Sequence, residues 1–153
     1  MNPSRPLIVS VLPMSPPVTS PTSLIAPEPL ASADPTWVVC LCADWCGVCR
    51  DYRVVFRQVA AQHPQLRFAW LDVEDQASLV GDLDIETFPT LLVARAQGAR
   101  FMGALTPHIH TLSRLLESLQ TSDEESATVL TSPLHVPALL QALRNSPEFW
   151  VND

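Results

Sequence analysis

The sequence predicts an α/β domain built on a mixed sheet, in which a parallel strand pair is extended by a hairpin and covered by helices. Three observations carry that expectation. Short apolar runs at Val38-Val39-Cys40-Leu41-Cys42, Leu66–Val73 and Thr90–Ala94 read as buried strands. Between the first two lies a stretch of helical period, which makes those strands parallel. After the third, Gln97-Gly98 supplies a turn, and Arg100–Leu105 returns as the partner of a hairpin.

The elements follow in order. Val48, Tyr52, Val55, Phe56, Val59 and Ala60 share one helical face, and that helix ends before Pro64. Asp75 is placed to cap a short helix running to about Asp82. Thr106 caps and Pro107 opens a later helix whose Ile109, Leu112, Leu115, Leu116 and Leu119 share a face. The order is thus β-α-β-α-β-β-α. Beyond Gln120, Asp123-Glu124-Glu125 reads as an acidic linker, and Pro137–Arg144 as a short amphipathic helix through Leu139, Leu140 and Leu143. The expected organisation is a proline-rich tail over 1–35, one domain over 36–120, and an acidic linker with its short helix over 121–153.

Composition excludes several classes. The 153 residues carry a net charge of −7, and all nine basic residues are Arg. No basic footprint for nucleic acid is visible. Residues 35–120 are close to neutral, with nine Asp/Glu against seven Arg, whereas 121–153 hold five acids against one Arg. No stretch nears the roughly 20 apolar residues that a membrane-spanning helix needs. The chain is therefore expected to act without membrane or nucleic acid, as a monomer.

Residues 1–35 hold nine prolines and eight Ser/Thr, a composition that favours extended, unpacked chain. Leu7–Leu12 within it has the look of an added strand. Arg5 before that run, with Ala31-Ser32-Ala33 after it, resembles an export signal. Against export, Pro13, Pro16 and Pro17 break the apolar region, and the cleavage-like site lies far beyond it. The expected location is cytoplasmic, with export as the alternative.

All four cysteines, Cys40, Cys42, Cys46 and Cys49, fall within ten residues. A secreted scaffold would spread them to staple distant loops, so the cluster leaves a redox pair or a metal site. Cys46 lies where the first strand gives way to the first long helix. A helix N-terminus offers unpaired N–H groups and partial positive charge, which stabilise a thiolate, the attacking species. Cys49 lies one turn on, within reach of Cys46. Gly47 leaves the backbone uncovered at the point of attack.

With these residues the sequence resembles the thioredoxin family over roughly residues 37–119. Trp45-Cys46-Gly47-Val48-Cys49 matches the family's active-site motif, except that Val48 replaces the usual proline. Phe88-Pro89-Thr90 matches its cis-proline loop in type and spacing, and Gly103 the glycine after its last strand. The resemblance implies a three-layer fold with a central mixed sheet, whose N-terminal β-α unit is missing or altered here. It implies a thiol–disulfide oxidoreductase with Cys46 as nucleophile and Cys49 as resolving thiol, and no cofactor. Phe88, Pro89 and Thr90 would meet an extended segment of a disulfide-bearing protein, with Trp45 shaping that surface. An upstream thiol reductase or small thiol would reset the pair.

The departures matter. The family's buried Asp corresponds to Cys40, its Lys partner to Trp70, and the first Trp of its Trp-x-x-Trp-Cys pattern to Cys42. Without that acid–base device Cys49 should resolve mixed disulfides slowly. Val48 should alter the redox potential, because it restores an N–H that can point at the Cys46 sulfur. Cys40 and Cys42 share strand parity, so one face carries extra thiols near the pair. The plainer reading of these two is inert core.

Other readings stay open. A redox-impaired fold could serve as a binding scaffold through Trp45 and Pro89. A four-thiolate metal site would require a Cys-x-Cys on a stiff strand to wrap an ion, which tetrahedral zinc sites do not favour. His63, His108, His110 and His135 are scattered, so a Cys–His hydrolase has little support. Asp72 reads as a solvated or capping carboxylate.

Overall fold

The computed structural model describes residues 34–121 and 135–151. The strand expected at Leu7–Leu12, the cleavage-like Ala31-Ser32-Ala33 and the acidic Asp123-Glu124-Glu125 lie outside them.

Four strands form one mixed sheet. They are β1 (Trp37–Cys42), β2 (Arg67–Asp72), β3 (Thr90–Arg95) and β4 (Gly98–Ala104), in the order β2-β1-β3-β4. β1 runs parallel to β2 and antiparallel to β3, while β3 and β4 make the hairpin. Helix α1 (Gly47–Gln62) is the crossover from β1 to β2. It ends before His63-Pro64, as the steric restriction on a residue preceding proline requires. Helices α2 (Ala77–Val80), α3 (Ile109–Thr121) and α4 (Val136–Asn145) follow, with a 3-10 turn at Pro147–Phe149. The chain is an α/β fold of the three-layer thioredoxin-like kind.

Every residue of β1 is buried, and its side chains alternate between two cores. Val38, Cys40 and Cys42 join Tyr52, Phe56 and Val59 of α1 and Leu112 and Leu116 of α3. Trp37, Val39 and Leu41 face the other way, onto Val136, Leu139, Leu140 and Leu143 of α4. Val80 and Leu83 join that second cluster, together with Leu71 and Leu92 of the neighbouring strands.

The helix expected beyond the domain is therefore a layer of it. Its apolar face has nowhere else to go, since the odd-numbered side chains of β1 would otherwise meet water. The chain end after it is also fastened to the sheet. Trp150 donates its indole N–H to the Leu143 carbonyl (2.7 Å) and packs edge-on against Trp37 (5.9 Å between centroids). Val151 N–H donates to the Phe68 carbonyl (2.9 Å), so this segment covers part of the β2 edge. Arg144 pairs with Asp34 at 2.6 Å.

Several local expectations are corrected. Asp75 does not cap α2. The preceding turn is closed by Asp72, whose carboxylate accepts from the N–H groups of Glu74 (2.8 Å), Asp75 (3.2 Å) and Asp44 (2.5 Å). A carboxylate at the head of a turn reaches the next donors more readily than one inside it. α3 begins at Ile109, so Thr106 and Pro107 lie in the approach to it, where Thr106 Oγ1 meets Thr111 Oγ1 (3.3 Å). Gly103 lies inside β4, opposite Leu91, and not after the strand. Gly98, with φ 138°, takes the positive-φ position of the hairpin turn.

If α4 is a layer of the core, truncating it is costly. Leu140→Ala should lower unfolding free energy by about 2–5 kcal/mol, the usual cost of emptying a buried leucine site. Urea unfolding of the full chain checks this. A change within about 0.5 kcal/mol, the range of surface substitutions, would show that α4 is an appendage.

Candidate active site

β1 delivers the chain to the site. After Cys42 the backbone turns, with Cys46 N–H donating to the Ala43 carbonyl (3.0 Å), and α1 starts at Gly47. Cys46 is the N-cap residue, in extended conformation (φ −78°, ψ 112°), and no side chain caps the helix. Its first N–H groups are left to the Cys46 sulfur.

The consequence is a thiol held below its ordinary pKa. The Cys49 N–H is the largest cause, followed by partial burial, which opposes it. The Cys49 thiol, the Val48 N–H and the Arg50 guanidinium add to the lowering. Cys49 moves the other way. Burial pushes its thiol up, and the neighbouring Cys42 and Cys46 thiols push it further. The two shifts are opposite because Cys46 lies against the N–H groups of the helix start whereas Cys49 is enclosed among thiols.

Exposure divides the four thiols as well. Cys46 is partly exposed, whereas Cys40, Cys42 and Cys49 are buried. Val48, expected on the buried face of α1, is instead 50% exposed. The first turn of α1 starts where β1 ends, and only the side chain turned back toward Cys42 is covered. That side chain is Cys49. A Cβ added at Gly47 would meet nothing nearer than the Arg50 guanidinium at 4.0 Å, so the surface beside Cys46 is open.

A second loop joins this surface. β3 pairs with β1 so that Thr90 lies opposite Leu41, which sets the preceding Phe88-Pro89 beside the end of β1. The Phe88–Pro89 peptide bond is cis. Trp45, 64% exposed, stacks edge-on against Phe88 at 5.7 Å between centroids. Thr90 is buried, and its hydroxyl donates to the Thr87 carbonyl. Trp45, Val48 and Phe88 thus give the open thiol an apolar rim.

Beneath the pair, Cys40 is directly opposite Trp70 in the β1–β2 register. Arg53 lies over the Trp70 ring, 5.4 Å from its centroid, and Phe56 packs against the same ring at 5.5 Å. Where the resemblance would set a buried carboxylate and a lysine, this protein has a thiol and an indole. Asp72, the nearest carboxylate along β2, is engaged in its turn.

Two contributors were not singled out from the sequence. Arg50 lies four residues after Cys46, a spacing that brings a helical side chain over the first turn. Tyr52, three residues after Cys49 on the buried face, lies close enough to Cys40 and Cys42 for their charge to raise its own pKa, after burial. The histidines are elsewhere: His135 pairs with Asp82 (3.0 Å), and His63 faces Gln65 (3.5 Å). Among the described residues, no three His, Cys, Asp or Glu side chains form a group that could hold a metal ion.

Comparison with known proteins bears on the family and the fold. The thioredoxin family model matches residues 27–114, more than half of the 153. A putative thioredoxin 2 of Streptomyces coelicolor is 37% identical over 59 residues, covering 39% of this chain and 44% of that protein. Thioredoxin C-3 of Corynebacterium nephridii is 32% identical over 98 residues, covering 63% of this chain and 62% of that protein. The chain thus spans less than two thirds of the length of these curated relatives. Among solved structures, thioredoxin from Trypanosoma brucei brucei superposes with a TM-score of 0.53 at 22% identity, over 60% of this chain and 80% of that one. That likeness concerns the fold. Together with the matched stretch from the strand before Cys46 to α3, these findings show that the chain belongs to the thioredoxin family, a family of thiol–disulfide oxidoreductases.

Proposed function

We propose that this protein exchanges disulfides with partner proteins through the Cys46/Cys49 dithiol. One observation carries the reading: of the Cys46/Cys49 pair, the thiol that is partly exposed is also the one whose thiolate is stabilised. Cys46 thiolate attacks one sulfur of a partner's disulfide, and the other partner sulfur leaves with the electron pair and takes a proton. Cys49 then loses its proton and attacks the Cys46 sulfur, releasing the second partner thiol. The partner's disulfide is reduced to two thiols, and Cys46 and Cys49 are oxidised to a disulfide. An upstream thiol reductase or small thiol reverses that oxidation, and no cofactor takes part.

The apolar rim of Trp45, Val48 and Phe88 suits a protein substrate better than a small charged one. An extended segment laid along the Pro89–Thr90 loop would hold its disulfide against Cys46. The protein acts as a monomer in this scheme. A dithiol that must be returned to its reduced state favours the cytoplasm over an oxidising compartment.

A scaffold role has one observation in its favour, since the groups that set the titration of Cys49 are burial, two thiols and the Ala43 backbone, with no carboxylate. Turnover of insulin disulfides in the presence of a recycling thiol discriminates against it. Cys46→Ser should abolish that turnover, while Cys49→Ser should accumulate a stable mixed disulfide at Cys46. Turnover by Cys46→Ser at the wild-type rate would remove the reading.

The pH dependence separates the two half-reactions. Alkylation of Cys46 should titrate below the ordinary thiol value of about 8.5. Release of the mixed disulfide depends on the Cys49 thiolate, whose pKa is raised, so its rate should climb about tenfold per pH unit across neutral and mildly alkaline pH. Rapid acid quenching followed by mass analysis resolves both. Val48→Pro removes one N–H from the Cys46 sulfur at a position where a first helical turn tolerates proline. It should raise the Cys46 pKa and make the pair more reducing, as measured against a glutathione buffer.

A further inference from the structure

Helix α1 carries a row of arginines, of which only the first bears on the thiol chemistry. Arg50, Arg53 and Arg57 are all exposed, and at 3.6 residues per turn they fall within about 60° of arc. They make one strip along the helix, with Cys46 at its head. Val54, 60% exposed, borders the same strip. Three of the seven arginines of residues 35–120 are gathered here. The Arg50 guanidinium lies back over Gly47, 4.0 Å from where a Cβ would stand, and so one residue from the open thiol. Arg53 rests on the Trp70 indole at 5.4 Å. Among the described residues, no carboxylate forms an ion pair with any of the three.

The stability of α1 does not call for this row. Opposite charges three or four residues apart steady a helix, whereas like charges at that spacing destabilise it. Here Arg50 and Arg53 are three apart, Arg53 and Arg57 four apart, and no acid stands at either spacing from any of them. Arg50 also sits in the first turn, where the partial positive charge of the helix disfavours another cation. The nearby acids lie to the sides. Asp51 is on one flank, and Asp44, Asp72, Asp75 and Glu148 share with Arg50 and Arg53 the lining of a recess of about 240 Å³ on the other. Asp72 among them is engaged by the N–H groups of its turn. A row that works against its own helix points to a binding role, since local rules are broken chiefly where function requires it.

We propose that Arg50, Arg53 and Arg57 form a docking strip for an acidic segment of the disulfide-bearing partner, so that the protein selects disulfides flanked by Asp and Glu. This deepens the exchange reading above and rests on it, because the strip serves a partner held at Cys46. Charge complementarity sets the class of partner, since a guanidinium fork pairs with a carboxylate through two parallel hydrogen bonds. Arg57 follows Cys46 by 11 residues, which is about 16 Å along a helix axis. About five residues of extended chain cover that distance. The acids therefore lie within about five residues of the partner's cysteine. Arg57 is also beyond the screening length of about 8 Å at physiological salt, so it acts on docking and not on the Cys46 thiolate. The exchange step itself is unchanged: Cys46 attacks, and the partner sulfur leaves.

The test uses the full, reduced chain and peptides whose single cysteine is held in a mixed disulfide with thionitrobenzoate, flanked on both sides by Glu, by Gln or by Lys. Attack by Cys46 breaks that disulfide, and thionitrobenzoate leaves with the electron pair and is read by its colour. At low ionic strength the Glu peptide should half-saturate at about a tenfold lower concentration than the Gln peptide. The Lys peptide should be the weakest, and the differences should close in high salt. Arg57→Glu should shift the order toward the Lys peptide, whereas Arg114→Gln, an exposed site on α3 outside the strip, should keep the wild-type order. Alkylation of Cys46 by neutral iodoacetamide should titrate in Arg57→Glu as in the wild type, which separates lost docking from a disturbed thiol. Equal half-saturation by the Glu and Gln peptides, or the wild-type order in Arg57→Glu, would overturn the strip and leave the exchange reading intact. Release of thionitrobenzoate from none of the peptides would overturn the exchange reading, and the strip with it.

Discussion

The burial of β1 on both faces is the constraint from which the rest of the structure follows. A strand covered on both sides needs apolar side chains at every position and a helical layer on each face. One layer is α1 with α3, the other α4 with α2 and the Trp150 segment. Because β1 is central, its neighbours are set by pairing: β2 through the α1 crossover, β3 through an antiparallel register that brings Thr90 opposite Leu41. The carboxyl end of this strand is thus where a helix begins, where a loop from β3 arrives, and where the chain can reach the surface. The thiol pair occupies that point.

What happens there is decided by a competition between desolvation and hydrogen bonding. One pKa unit corresponds to about 1.36 kcal/mol between two protonation states, and an exposed helix N-terminus contributes about 0.3–1 kcal/mol. The macrodipole alone would move a thiol by less than a unit. The Cys49 N–H is therefore the strongest influence on Cys46, and with the Val48 N–H and the other lowering contacts it outweighs the opposing burial. At Cys49 the same competition ends the other way, since the thiol is enclosed and its neighbours are thiols without a fixed positive charge. Three residues along one helix separate a leaving group from a proton holder.

The departures from the family's usual residues are coherent in this light. A buried carboxylate on the central strand would require a partner charge, and its replacement by Cys40 opposite Trp70 removes both together. The space is filled by apolar contact, with Arg53 on the indole face at the rim. The Tyr52 hydroxyl lies in the same interior, buried and without a hydrogen-bond partner.

The site was legible in the sequence because its chemistry depends on local spacing. Cys46 at a strand-to-helix junction, Cys49 one turn later and Gly47 between them need no distant residue to be read. The same holds for the strands, whose apolar runs answer to period alone. What sequence could not decide was what covers what. Pro137–Arg144 reads as an amphipathic helix in isolation, but only packing shows that it is the second layer over Trp37, Val39 and Leu41. Val48 and Cys49 both suit the apolar face of α1, and the end of β1 chooses Cys49. Asp72 and Asp75 are equally plausible caps until the turn is folded and Asp72 takes the donors. Parity alone put Cys40 and Cys42 on one face, whereas their burial in one cluster with Cys49 required the helix to be set down on the strand. Local order follows from the covalent chain and its periodicities; partnership between distant side chains follows from the three-dimensional burial that those periodicities only permit.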